Sequence, residues 1–261
     1  MGMTKLLVAA LIPAIMSIGF AAPARAAQAV NYVAMGDSYS SGAGAGNYVN
    51  SSCARSANAY SALWAQAHTA AAYTSVACTG ATTATLLRSQ LTALTAATTL
   101  VSLTIGGNDI GFSNVLTTCY LRGDAGCRTA VDAAEAKATT SLPTKLDQVY
   151  SAIRSRSPHA RIVVMNYPDF YSGSASCAGI SVRSQAAIDE GNGVLSTVIA
   201  AAAHRNGVVF ADARGNFAQH EVCSGTPWIS GLVPAHMGDS YHPTAAGHLG
   251  GYLTAFDSAA G

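Results

Sequence analysis

Five short apolar runs rich in β-branched residues recur along the chain: "NYVAM" (31–35), "YTSVA" (73–77), "LVSLTI" (100–105), "RIVVMNY" (161–167) and "GVVFAD" (207–212). Longer helix-patterned stretches separate them, near 57–70, 83–90, 129–157 and 181–205, and a last one follows at 244–257. Continuous apolar runs, rather than alternating ones, mark strands covered on both faces. The rhythm of strand then helix therefore predicts an α/β fold, a three-layer α/β/α sandwich around a mostly parallel sheet of about five strands. In such sheets functional groups collect at the carboxyl ends of the strands. Three consecutive exits carry small polar motifs: "GDS" (36–38), "CTG" (78–80) and "GGND" (106–109).

The first 26 residues read as a signal peptide: Lys5, an apolar stretch from Leu6 to about Ala22, then Ala24-Arg25-Ala26 as a small-x-small cutting site near Ala26. The apolar run is short for a membrane anchor. The expectation is a secreted protein with one domain over residues 27–261. Without residues 1–26 the chain holds 12 basic and 13 acidic residues and no basic block. That balance argues against nucleic acid or anionic membrane as partner, and a monomer is expected. Charged residues make up only 10% of the chain, against roughly 25% in an average domain. Ser, Thr, Asn, Gln and Ala must then cover much of the surface.

Six cysteines, Cys53, Cys78, Cys119, Cys127, Cys177 and Cys223, lie beyond the leader. An even count in an exported chain suggests three disulfides, with pairing between sequence neighbours the simplest of about 15 connectivities. Neither a C-x-x-C nor an H-E-x-x-H spacing occurs, so no metal site is expected.

The stretch "GDSYSSGAGAG" (36–46) admits two readings. A dinucleotide loop needs G-x-G-x-x-G and an acid about 20 residues on. Position 47 is Asn, and no Asp or Glu occurs between Asp37 and Asp109. A phosphate loop of the Walker kind needs a lysine, and none occurs between Lys5 and Lys137. No cofactor is expected. The other reading makes Ser38 a nucleophile, which requires a base and oxyanion donors. Of the seven histidines, His242 stands out in "GDSYHPTAAGH", with Asp239 three residues before it and Pro243 holding it extended.

At this point the motifs carry a resemblance. "AMGDSYSSG", "CTGATT", "IGGND" and "DSYHP" are similar, in order, to the conserved blocks of the SGNH (GDSL-type) hydrolases. Together with the cysteines and leader they resemble secreted lipases and esterases of actinobacteria. The resemblance implies a flavodoxin-like sheet, catalytic residues Ser38, His242 and Asp239, and an oxyanion hole from Ser38, Gly80 and Asn108. It also implies disulfides Cys53–Cys78, Cys119–Cys127 and Cys177–Cys223. In some relatives a main-chain carbonyl supports the histidine, here that of Ser240. Asp37 and Asp109 are expected to brace loops. Gly80 is expected to let backbone approach the tetrahedral oxygen, and Gly42, Gly44 and Gly46 to be flexible backbone beside Ser38.

Apolar residues of two segments, 109–127 and 226–238, are candidates to line an acyl groove: Phe112, Leu116, Trp228, Ile229 and Leu232. The expected activity is hydrolysis of acyl esters, as in a lipase, esterase or phospholipase A. Carbohydrate O-acetyl esterase is the alternative, and a binding protein on a hydrolase scaffold the non-enzymatic one.

Overall fold

The computed structural model describes residues 1–4, 29–173, 177 and 179–261. Residues 5–28, which hold most of the expected signal peptide and its cutting site, lie outside the described residues. In chain order the elements are β1 (Asn31–Gly36), α1 (Ser38–Ser41), β2 (Tyr48–Asn50), β3 (Arg55–Ser56), α2 (Tyr60–Ala67), β4 (Ala72–Ser75) and α3 (Thr83–Ser89). There follow β5 (Leu100–Thr104), α4 (Gly107–Ile110), α5 (Phe112–Thr140), α6 (Leu142–Arg156) and β6 (Arg161–Met165). The chain closes with α7 (Val182–Arg205), β7 (Val209–Ala211), α8 (Arg214–Phe217) and α9 (Leu253–Ala260).

Five strands form one parallel sheet in the order β4-β1-β5-β6-β7. The register aligns Val33 with Val101 and Val101 with Ile162. Every residue of β5 is buried, as a central strand covered on both faces must be. Where α2 and α9 meet the sheet, Tyr32 stacks on Phe256 and meets Trp64 edge to face, and α5, α6 and α7 pack together as a separate helical layer. The chain runs from β1 outward to β4, then back past β1 to β5. The direction of winding therefore reverses at the β1–β5 junction, the switch point at which doubly wound sheets hold their ligands.

Three boundaries differ from expectation. Residues 112–127 are helical rather than an open excursion: α5 begins at Phe112, breaks helical geometry at Gly123 (φ 61°) and continues to Thr140. The disulfide Cys119–Cys127 spans that break. The single helix expected over 129–157 is two, with Pro143 in the first turn of α6, where its missing N–H costs nothing. The terminal helix opens at residues 245–246 and passes through a π-helical turn at Gly247–Tyr252 before α9. All six cysteines pair between sequence neighbours, Cys53–Cys78, Cys119–Cys127 and Cys177–Cys223.

Candidate active site

Ser38 is the first residue of α1, immediately after β1, and Asp37 caps that helix by accepting from the Tyr39 N–H. Such a cap holds the serine at a sharp strand-to-helix turn. The backbone before it is clamped by buried Gln90, whose Oε1 accepts from Gly36 N at 2.7 Å and whose Nε2 donates to Gly36 O at 2.8 Å. Gly36 is required on two counts: its φ is 112°, and any Cβ there would overlap the Thr104 carbonyl.

His242 reaches the same point from the far end of the chain, with Nε2 2.7 Å from Ser38 Oγ. Burial pushes the imidazole down to about 4, against the Ser240 main-chain carbonyl and, more weakly, the Asp239 charge, both of which raise it. The ring is therefore neutral at pH 7, and accepting from the hydroxyl at Nε2 requires the proton on Nδ1. Ser240 supplies the strongest neighbouring support for that proton, although no acceptor stands in full hydrogen-bond geometry at Nδ1. The Asp239 carboxylate is engaged elsewhere: it accepts from Tyr48 Oη at 2.8 Å, and that same hydroxyl accepts from Gly44 N at 2.9 Å.

The serine and histidine loops are tied together at two further points. Tyr39 Oη donates to the Tyr241 carbonyl. Gly44 lies directly against His242; a Cβ there would stand 2.9 Å from His242 Cβ and 2.9 Å from the Pro243 carbonyl. Gly42 is equally confined, by Ser56 and Ala59. These two glycines of "GAGAG" thus permit close packing rather than looseness, which corrects the expectation of flexible backbone.

Gly80 and Asn108 line a cavity of about 450 Å³ together with Ser38 and His242. Gly80 has φ 74°, and a Cβ there would meet nothing within 4 Å. That positive φ is a backbone conformation glycine adopts freely. Asn108 is anchored by donating one N–H to the Ala81 carbonyl at 2.9 Å. An amide nitrogen carries two hydrogens, so a second donor remains. Asp109 accepts from Thr83 N at 2.9 Å and Thr83 Oγ1 at 2.6 Å, tying α4 to α3.

Two residues with no sequence signature complete the surroundings. Tyr167, just beyond β6, donates to Asp37 Oδ2 and accepts from Gly107 N at 3.0 Å, so it couples the serine turn to the Asn108 turn. Burial raises the Asp37 carboxyl to about 6 even though Tyr167, Thr104 and the Tyr39 N–H all donate to it. Tyr48 is the other, through its contact with Asp239.

Of the apolar candidates, Phe112 and Leu116 line the site, and Leu232 lines its outer part. Trp228 does not. Its indole stacks on His220 at 3.6 Å and fills a notch left by Gly250, and the buried Ile229 bridges to Pro243. These two hold the His242 segment to the fold. The mouth of the cavity carries Tyr120, Leu121, Leu232 and Met237, all exposed.

Among the described residues no cluster of three or more His, Cys, Asp or Glu side chains is arranged to hold a metal ion, and no helix is long and apolar enough to cross a membrane.

A serine hydroxyl in contact with a neutral imidazole, at the switch point of a doubly wound sheet, is an arrangement characteristic of hydrolases. Comparison with known proteins narrows the class. The family model of the GDSL-like lipase/acylhydrolases matches residues 34–249. Lipase 1 of Streptomyces coelicolor is 47% identical over 245 residues, covering 92% of this chain and 91% of that protein. Two crystal structures share the fold with a TM-score of 0.86. The extracellular lipase of Streptomyces rimosus is 47% identical, covering 88% of this chain and all of that one. Phospholipase A1 of Streptomyces albidoflavus is 44% identical, covering 88% and 99%. The chain belongs to the GDSL-like lipase/acylhydrolase family and is an ester hydrolase.

Proposed function

We propose that this protein is a secreted, single-domain hydrolase of acyl-lipid esters that works through Ser38 and His242. The observation that carries the reading is the 2.7 Å contact between His242 Nε2 and Ser38 Oγ, on the wall of a cavity with an apolar mouth. In this scheme His242 takes the Ser38 proton as the oxygen attacks the ester carbonyl. The N–H groups of Ser38 and Gly80 and the second amide hydrogen of Asn108 donate to the developing oxyanion. His242 then protonates the leaving alcohol, and water repeats the sequence on the acyl-enzyme. The Ser240 carbonyl orients the imidazole, while Asp239 acts indirectly by securing the His242 loop through Tyr48.

Lipid as substrate class is supported by the exposed Leu121 and Met237 at the cavity mouth and by the lipase and phospholipase names of the relatives. Export is supported by the leader-like segment, the three disulfides and the extracellular designation of the Streptomyces rimosus lipase. The test is labelling with a fluorophosphonate and mass mapping of the adduct, beside rates on p-nitrophenyl esters of rising chain length, phosphatidylcholine and acetylated xylan. The expected results are a single adduct on Ser38, none in Ser38→Ala, and preference for acyl chains longer than acetate. Undiminished activity in Ser38→Ala refutes the mechanism, and a sharp preference for acetate refutes the substrate class.

A further inference from the structure

Beside the reacting centre lies a second cavity, of about 330 Å³, that contains none of the reacting groups. Tyr120, Leu232 and Tyr241 line both this space and the 450 Å³ cavity, so the two share a wall. The far side of the second space is formed by Tyr171, Val222 and the Cys177–Cys223 disulfide. Among the described residues no charged side chain lines it. Two of its phenols are buried and bonded to each other, Tyr171 Oη donating to Tyr241 Oη at 3.2 Å. Among the described residues its side chains are aromatic, aliphatic and disulfide with no charge, a lining that suits hydrocarbon better than a sugar, whose hydroxyls need hydrogen-bond partners in place of water.

We propose that this second cavity receives the second acyl chain of a two-chain glycerolipid, while the 450 Å³ cavity receives the chain whose ester is cleaved. The inference rests on the acyl-lipid reading above and names its substrate class more narrowly. Two observations favour a second chain over the tail of one long chain. The volumes, about 450 and 330 Å³, are comparable, as two similar chains require. The shared wall includes Tyr241, the residue next to His242. Chains esterified to neighbouring carbons must diverge within a few atoms of the reacting ester, and the fork lies there. A single chain needs no fork.

Gly231 gives a way to close the second cavity alone. It lines that space but not the first, and a Cβ placed on it meets only Val222 Cγ1, at 3.5 Å. Gly231→Leu would therefore extend into the cavity. In the full enzyme, kcat/KM is measured on dipalmitoyl phosphatidylcholine and on two one-chain esters, palmitoyl lysophosphatidylcholine and p-nitrophenyl palmitate, all in mixed detergent micelles. Denying burial to as few as two methylenes is worth roughly tenfold. The expected result is a loss of at least about tenfold on the two-chain lipid, with both one-chain rates within about twofold of wild type. Equal losses on all three substrates, or no loss on the two-chain lipid, overturn the inference while leaving the hydrolase reading standing. A wild-type enzyme inactive on every acyl ester removes that reading and the inference with it. Gly231→Val, with a smaller side chain, carries the same comparison with a smaller expected loss should the leucine variant not fold.

Discussion

Replacing Asp239 with asparagine should lower kcat by less than about tenfold, a far smaller loss than a triad acid would suffer. Where an aspartate is bonded directly to the Nδ1 proton of a catalytic histidine, the same replacement costs about 10⁴ in kcat. Here Asp239 is half-buried, and among the described residues its carboxylate takes one hydrogen bond, from Tyr48 Oη at 2.8 Å. A hydrogen bond of that kind contributes a net of about 0.5–1.5 kcal/mol, or roughly two- to tenfold if all of it were felt at the His242 loop. The Asp239 charge also raises the imidazole less than the Ser240 carbonyl does, and solvent screens it. If Asp239 acts by holding Tyr48, then Tyr48→Phe should cause a loss of the same size, and the double variant should be little worse than either alone. Steady-state kcat on a p-nitrophenyl ester for the four proteins is sufficient. A loss of about 10³ or more in Asp239→Asn, with Tyr48→Phe near wild type, would refute the reasoning and return Asp239 to the imidazole.

Tyr167→Phe should orphan both Asp37 Oδ2 and Gly107 N, at roughly 1–3 kcal/mol for each buried group; chemical denaturation reads the loss, and an unchanged midpoint refutes the bridge. Asn108→Ala should lower kcat by about 10²–10³ with little change in KM, and an equal rise in KM would point to substrate binding instead. Activity should persist into acid: His242 serves as base only when neutral, so the acid limb of kcat/KM should fall near its value of about 4 rather than at the ordinary 6.5. Thermal stability should be nearly level from pH 4 to 6, because two opposed linkages cancel. His242 and His248, depressed to about 4 and about 3, stay neutral in the fold while the unfolded chain takes up protons, which removes stability as pH falls below 6.5. Asp37 and Asp189, raised to about 6 and about 7, keep their protons in the fold while the unfolded chain loses them, which removes stability as pH rises above 3.8. A steep slope across that interval in differential scanning calorimetry would contradict this balance.

The sheet was legible because parallel strands sealed by helices on both faces must be apolar throughout, as Leu100–Thr104 is. The residues gathered at its rim were legible because each follows a strand and is marked by glycine. Helix boundaries were harder. Gly123, Asp124 and Gly126 read as loop signals, yet a disulfide across residues 119–127 keeps helix on both sides of one non-helical residue. Trp228 looked like a groove residue because it is an apolar residue of the segment before His242; its partners His220 and Gly250 are remote in kind from any motif. Tyr167, Tyr48 and Gln90 had no local pattern at all. Each acts through a hydrogen bond to a residue far along the chain, 130, 191 and 54 positions away, and such pairings arise only once the sheet has brought the strands together.

The three fastenings between residues 39–48 and 239–242 have a consequence for how this protein can change. Tyr39 on the Tyr241 carbonyl, Gly44 against His242 and Tyr48 on Asp239 all join the serine's own loop to the histidine's. In the proposed mechanism the nucleophile and its base are thereby fastened to each other. The cavity walls beside them come mainly from elsewhere, from α5 through Leu116 and Tyr120 and from the segment carrying Gly231, Leu232 and Met237. In the proposed mechanism, reshaping those walls would alter which ester fits without moving the contact between Ser38 and His242, so the same pair could serve new esters through substitutions that never touch it.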